Sequence, residues 1–293
     1  MTFRGLYTAI VTPFTNDGEL DLAALSRVID LQLAAGVDGI VVTGSTGEGA
    51  TTTTAEKETL WSYAVERVNG RIPVIAGTGT NDTHTTIELT QRAASCGVQG
   101  ALVVSPYYNK PTSAGQIAHY RAVADSTVLP VILYNVPGRT GTNMSPATQL
   151  AIASACQNVV ATKEASANLE QMCEIMRDAP EHFTLLAGDD SLALPIIACG
   201  GVGVIAVISN YAPRRYGRLI HAALNGDLET ARAEQRFLMP YYAANFYESN
   251  PIPVKWIMQL LGHSDANYRL PLTPPTPETQ ATLQSLFDGY RDE

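Results

Sequence analysis

In the stretch VVATKEASANLE, Val159 to Glu170, an apolar run that begins like a β-strand ends on a lysine, Lys163. Burying an unpaired ammonium is costly, so a lysine there either pairs with a carboxylate such as Glu164, carries its charge out to solvent, or is kept for its chemistry. Other polar side chains close other apolar runs. YNVPGRTG places Tyr134, Asn135 and Arg139 after one run, SPYYNKP places Tyr107 and Tyr108 after a second, and TGSTGEG follows a third. The last is glycine-rich, yet both the GxxxxGK[ST] and the GxGxxG spacings are missing, which argues against a nucleotide site. It offers instead a tight turn with exposed backbone N–H groups and two hydroxyls, Ser45 and Thr46, a small nest suited to a carboxylate. Capping the next helix is the alternative use of those hydroxyls, and TTTTAEK just downstream supplies better caps for it.

For these groups to act together, the runs that carry them must end on one face of one structure. Eight short β-branched runs recur: YTAIVTP, GIVVTG, IPVIAGT, GALVVSP, PVILYNVP, VVATKE, FTLLAGD and GVIAVISN. Their starts, near residues 7, 39, 72, 100, 130, 159, 183 and 203, are spaced at close to the ~30 residues of one βα unit. Most runs are continuously apolar, as parallel strands covered on both faces should be. Between them lie helical patterns, such as DLAALSRVIDLQLAAG, where Leu22, Leu25, Val28, Ile29, Leu31 and Leu33 keep a mostly helical rhythm and Gly36 supplies the stop. Eight such units predict a closed (β/α)8 TIM barrel over residues 1–225, whose active site gathers at the C-terminal strand ends. Residues 226–293 read as additional C-terminal helices packed on the barrel, with patterns at LETARAEQRFLMPYYAANF and IPVKWIMQLLG and a last helix after RLPLTPPTPE.

Composition excludes several classes of function. The 293 residues are 45% hydrophobic and 16% charged without a long apolar stretch, which reads as a soluble globular chain with no membrane span. The start MTFRGLYTAIVTPF has no apolar segment leading to a small-residue cleavage site, so a cytoplasmic protein is expected. A net charge of -9 argues against nucleic acid. The densest basic cluster, Arg214, Arg215 and Arg218, reads as a solvated face or a subunit contact. Four cysteines and five histidines lack ligand spacing, so no metal and no disulfide framework are expected, and the cysteines read as buried thiols.

GSTGE, PYYNKP, YNVPGRTG, KEAS and NPIPVKW, in this order, resemble the dihydrodipicolinate synthase branch of the pyruvate-dependent class I aldolases, a family that also includes N-acetylneuraminate lyase. The resemblance runs from about Tyr7 to Pro271. It implies that Lys163 forms a Schiff base with the ketone of pyruvate, without any cofactor. Only a neutral amine attacks a ketone, whereas a free lysine is neutral in roughly one molecule per few thousand at pH 7. A site for this chemistry must disfavour the ammonium by roughly 4 kcal/mol, which desolvation inside a barrel can supply.

The resemblance implies further roles. Tyr134 relays protons, linked through Thr46 to Tyr108, which the family inserts from a neighbouring subunit of a homotetramer built as a dimer of dimers, with Tyr107 and Tyr108 at the tight interface. Ser45 and Thr46 hold the pyruvate carboxylate, Arg139 grips the carboxylate of L-aspartate-4-semialdehyde, and the backbone carbonyl of Ile205 faces the lysine. Outside the family reading, Tyr134 and Tyr108 are ordinary structural aromatics. Neuraminate lyases lack the Arg-Thr-Gly element, but Ser45 departs from the usual synthase threonine towards their version of the turn. The synthase reaction is therefore the leading expectation, with another pyruvate aldolase acting on a sugar-acid or keto-acid aldehyde as its rival and a non-catalytic carboxylate-binding barrel as the alternative of another class. Members inhibited by lysine carry histidines and a glutamate at the positions of Thr54, Lys57 and Thr85, so weak or absent lysine inhibition is expected.

Overall fold

Eight short parallel strands close on one another in sequence order into a barrel. The computed structural model describes residues 3–293. The first half runs β1 (Gly5–Ala9), α1 (Leu22–Ala35), β2 (Gly39–Val42), α2 (Thr54–Val68), β3 (Val74–Gly77), α3 (Thr83–Ser95), β4 (Gly100–Val104) and α4 (Ser113–Asp125). The second runs β5 (Val131–Asn135), a short α5 (Pro137–Thr140), α6 (Pro146–Ala155), β6 (Val159–Glu164), α7 (Leu169–Asp178), β7 (Thr184–Ala187), α8 (Ala193–Ala198), β8 (Gly203–Ala206) and α9 (Pro213–Leu224). Three more helices follow: α10 (Leu228–Ala244), α11 (Ile252–Leu260) and α12 (Pro277–Phe287). The expected barrel is thus the observed one, and each predicted strand start lies within two residues of a real one.

Strand alternation explains why the runs are apolar throughout. In β2, Val41 points into the barrel while Ile40 and Val42 pack outward against the helices; in β5, Ile132 and Tyr134 point in while Val131 and Leu133 point out. The inner layer is small, and the larger core lies between barrel and helices, where Leu25 and Trp61 are essentially inaccessible. Cutting such a leucine to alanine costs about 2–5 kcal/mol. The helices start where their caps stand: Asp21 caps α1, and Thr53 caps α2 in a reciprocal capping box with Glu56.

The C-terminal helices are held by charge as well as by packing. Arg215 and Arg218 of α9 both reach Glu234 of α10, and the backbone N–H groups of Arg214 and Arg215 donate to Asp292. The side chains of Arg215 and Arg218 therefore tie the C-terminal segment to the barrel, while that of Arg214 stays on the exposed face. Tyr211, Tyr241, Phe287 and Tyr290 pack edge to face around the same junction. No helix among the described residues is long and apolar enough to cross a membrane. Cys156 is buried and Cys96 and Cys173 half-buried, but Cys199, expected to be buried, is exposed because it stands at the C-terminal cap of the short α8.

Further along, Arg269 clamps the barrel. Its guanidinium meets both oxygens of Glu56 at 2.9 and 2.5 Å and donates to the Gly18 and Thr51 carbonyls. Arg269 holds the Glu56 carboxyl down from its ordinary 4.5 to about 2, against the opposing effect of desolvation. Because the folded value is depressed, this contribution is complete above pH 4.5 and is lost as pH falls towards about 2. Urea unfolding across that interval should show the wild-type chain losing about 1–2 kcal/mol more than Glu56→Gln, solvent screening included. Parallel pH curves for the two proteins would contradict the clamp.

Candidate active site

Lys163 and Tyr134 are register partners on the adjacent strands β6 and β5, as are Asn135 and Glu164. Strand β6 runs through to Glu164, so Lys163 lies inside the ladder and alternation decides its direction. Its side chain enters the barrel, is 5% exposed, and sets Nζ 4.4 Å from the centroid of the Tyr134 ring. None of the ion pairs among the described residues includes it. The pairing with Glu164 that the sequence left open does not form.

Glu164 turns the other way. Its buried carboxylate accepts from the side-chain amides of Asn135, Gln149 and Gln171 at 2.8 to 3.1 Å, and from the backbone N–H of Ser166 at 2.8 Å. Neutral donors satisfy it without a cation. Asn135, placed by the sequence at the mouth of the barrel, belongs to this outer cage, since the strand period sends it opposite to Tyr134.

Above Lys163 lies a cavity of about 140 Å³, lined by Ser45, Thr46, Tyr134, Arg139, Lys163, Asp189 and Asn250 among others. Five of the residues singled out from sequence meet there. Thr46 is buried, whereas Ser45 is exposed at the rim. Arg139, also exposed, sits on the one-turn α5 and is steadied by its Nη2 donating to the Asn250 carbonyl at 3.0 Å. Asn250 Nδ2 donates to Thr46 Oγ at 2.9 Å, so one residue braces both walls. No hydrogen bond among the described residues joins Tyr134 to Thr46.

Two expected residues do not line this cavity within one chain. Tyr108 is 88% exposed with a left-handed φ of 72° and lines neither this cavity nor its neighbour. Ile205 is buried in β8 within the same inner layer as Tyr134, and Val207, two residues further, lines the cavity. Asp189 and Asn250 were missed. Asp189 ends the run FTLLAGD, where the strand-end rule could have found it; Asn250 lies far beyond the eighth strand, and only its place in the resemblance marked it.

The turn after β2 is shaped by close backbone approach. Thr43 has a left-handed φ of 59°, and its carbonyl oxygen would stand 2.5 Å from a Cβ placed on Gly77. Glycine there lets the turn fold back over β3. Trp61 Nε1 donates to Thr43 Oγ at 2.8 Å from the helix layer and fixes the turn from behind. At the far side of the mouth, burial pushes the Asp190 carboxyl up to about 7, although it accepts from the N–H groups of Val207 and Ile208 and lies near Lys163.

A second cavity of about 480 Å³ adjoins the first, sharing Ser45, Tyr134, Arg139 and Asn250, and is lined by Thr54, Lys57, Thr85 and Tyr107. The Lys57 ammonium is not free there. It donates to the Gly49 carbonyl at 2.7 Å and to the carbonyl and hydroxyl of Thr52 at 2.5 and 3.0 Å. No group of three or more His, Cys, Asp or Glu among the described residues could hold a metal ion.

Comparison with known proteins places this geometry. The chain matches the model of the dihydrodipicolinate synthetase family over residues 2–288. It is 44% identical over 288 residues to 4-hydroxy-tetrahydrodipicolinate synthase of Aquifex aeolicus, covering 98% of each chain. The crystal structure of dihydrodipicolinate synthase from Aquifex aeolicus superimposes with a TM-score of 0.96 at 44% identity, again over 98% of each chain. The chloride-inhibited dihydrodipicolinate synthase of Acinetobacter baumannii complexed with pyruvate gives a TM-score of 0.96 at 36% identity, over 98% of each chain. A structure described as the first monomeric dihydrodipicolinate synthase variant gives 0.95 at 42%, over 98% of this chain and 96% of that one.

A lysine buried without an ion-pair partner works against stability whenever it carries its charge. Lys163→Met, which fills the same space without charge, should raise the free energy of unfolding by about 1–2 kcal/mol. Chemical denaturation of the two proteins at pH 7 measures this, and a clear destabilisation by methionine would mean that the ammonium is paired in solution.

Proposed function

The chain belongs to the dihydrodipicolinate synthetase family, and we propose that it condenses pyruvate with L-aspartate-4-semialdehyde to give 4-hydroxy-tetrahydrodipicolinate. The observation that carries this reading is the enclosed, unpaired amine of Lys163 beside Tyr134, under a carboxylate nest and within reach of the cavity that Arg139 lines.

In this reading the Lys163 amine attacks the pyruvate ketone to form a carbinolamine, which loses water to become an imine. Ser45, Thr46 and the neighbouring backbone N–H groups hold the pyruvate carboxylate. Tyr134, whose ring face stands beside Nζ, takes and returns through its hydroxyl the protons of dehydration and of enamine formation. The enamine carbon attacks the semialdehyde carbonyl while Arg139 grips the second carboxylate, for which a planar guanidinium fork is suited. Ring closure follows when the substrate's own amine displaces Lys163, which regenerates the free lysine. Low exposure keeps bulk water from the imine.

Tyr108 enters only if a second subunit supplies it. Its exposure on one chain, next to the exposed Tyr107, supports a homotetramer built as a dimer of dimers in which Tyr108 completes the proton relay of its neighbour. The Ile205 backbone carbonyl is proposed to face the lysine from β8.

Borohydride reduction in the presence of pyruvate should leave one pyruvyl adduct on Lys163, and Lys163→Ala should show none; peptide mass spectrometry decides it, and no adduct would favour a carboxylate-binding barrel without catalysis. Among a panel of aldehydes, aspartate semialdehyde should turn over best, and Arg139→Ala should lower kcat/KM for it by about a hundredfold while leaving pyruvate trapping intact. Preference for a sugar-acid aldehyde would make the chain a different aldolase of the same chemistry. Free lysine should inhibit weakly or not at all, because Lys57 places a second ammonium where a lysine ligand's own would be repelled; strong inhibition at low lysine concentration would overturn this.

A further inference from the structure

The most deeply buried ion pair among the described residues lies outside the cavity of Lys163. Lys255 of α11 and Glu48 of the glycine-rich turn both have fully inaccessible side chains, and Nζ meets Oε1 at 2.5 Å. The ammonium also donates to the Thr12 carbonyl at 3.0 Å and lies 4.4 Å from the centre of the Phe14 ring. Thr12 in turn donates its hydroxyl to the Gly47 carbonyl at 2.6 Å. Lys255 therefore holds the turn twice, directly at Glu48 and through Thr12 at Gly47. Glu48 itself has a left-handed φ of 51°, an uncommon backbone state outside glycine.

Five residues before Lys255 in the chain, Asn250 grips Thr46 and Arg139. One segment thus spans the turn and the opposite wall. Replacing a buried pair by apolar groups of similar size is often neutral for stability, so stability alone does not account for two charges here.

We infer that Glu48 and Lys255 are positioning residues that set the Gly44–Gly47 nest and Asn250 at the height where a ketoacid carboxylate must sit for its ketone to meet Lys163. This rests on the Schiff-base reading and adds residues that touch no substrate. Displacement of the nest weakens the grip on the first substrate in ground and transition states alike, so KM for pyruvate rises while kcat is largely kept.

The test uses the full-length chain and borohydride trapping at graded pyruvate concentrations, alongside steady-state kinetics. Single substitutions leave a lone buried charge and can unfold the chain, so the deciding protein is the neutral double variant Glu48→Gln/Lys255→Met. Its half-saturating pyruvate concentration should rise about tenfold, with maximal trapping and kcat within about threefold of wild type. Thr12→Val, which cuts only the indirect link, should move the same quantity in the same direction and decides the matter if the double variant does not fold. Leu25→Ala, destabilised in the outer core, should leave pyruvate half-saturation unchanged. Wild-type half-saturation in a folded double variant, or in Thr12→Val if that variant decides, overturns the inference. Failure of the wild-type chain to trap pyruvate at all would instead remove the Schiff-base reading beneath it.

Discussion

Tyr134 and Lys163 face each other inside the barrel, and one residue further along the same two strands Asn135 and Glu164 face each other outside it. A slip of one residue in β6 would exchange the two faces, leaving a carboxylate in the barrel and the lysine among the helices. The outer pair guards against this. Glu164 collects donors from β5, α6 and α7 and from the backbone just beyond β6, so any slip would strand several buried amides at about 1–3 kcal/mol each. Because the carboxylate is satisfied by neutral groups, it makes no demand on the neighbouring lysine. A cage on one side of the sheet thereby keeps an amine unpaired on the other.

Other unfavourable features collect at the same end. Of the six non-glycine residues with left-handed φ among those described, Thr43, Glu48, Tyr108, Lys110 and Ala167 all lie in loops that follow strand ends at the mouth; only Asn69 caps a helix. Each such conformation costs on the order of 1–3 kcal/mol outside glycine. The buried Asp190 carboxyl and the unpaired Lys163 stand there too. The opposite end of the barrel and the outer layer are packed with apolar side chains that offset these costs, a division expected where one end must present chemistry and the rest must hold it still.

What the sequence made legible follows from this division. Parallel strands covered on both faces leave continuous apolar runs, and eight of these were countable. Strand ends at the mouth then marked Ser45, Thr46, Tyr134, Arg139 and Lys163, which meet in one cavity. Direction was harder: Asn135 and Tyr134 are adjacent in YNVPGRTG, and only the strand phase tells that one faces the cage and the other the cavity. Exposure was harder still, because Ser45 and Arg139 sit on turns whose periodicity says nothing about solvent. The partners of Thr46 and Glu48 could not be read at all. Asn250 and Lys255 lie more than two hundred residues downstream, and contacts of that range leave no local pattern.

Those distant contacts give α11 and the segment after it a role at the mouth of the barrel. Loops after β1 and β2 cross the mouth with little strand pairing beyond the Phe14–Leu20 bridge, so several of their backbone carbonyls need donors from elsewhere. Lys255 donates to Thr12, Asn267 to Phe14, and Arg269 to Gly18 and Thr51. All three donors come from residues 255–269, and each side chain reaches back over the loops that frame the cavity. Helix α10, by contrast, packs mainly on α9 and carries the segment across the barrel to where it is needed. The segment from Lys255 to Arg269 is therefore the hydrogen-bonding complement of the first two mouth loops, tied to them by contacts more than two hundred residues apart in the chain.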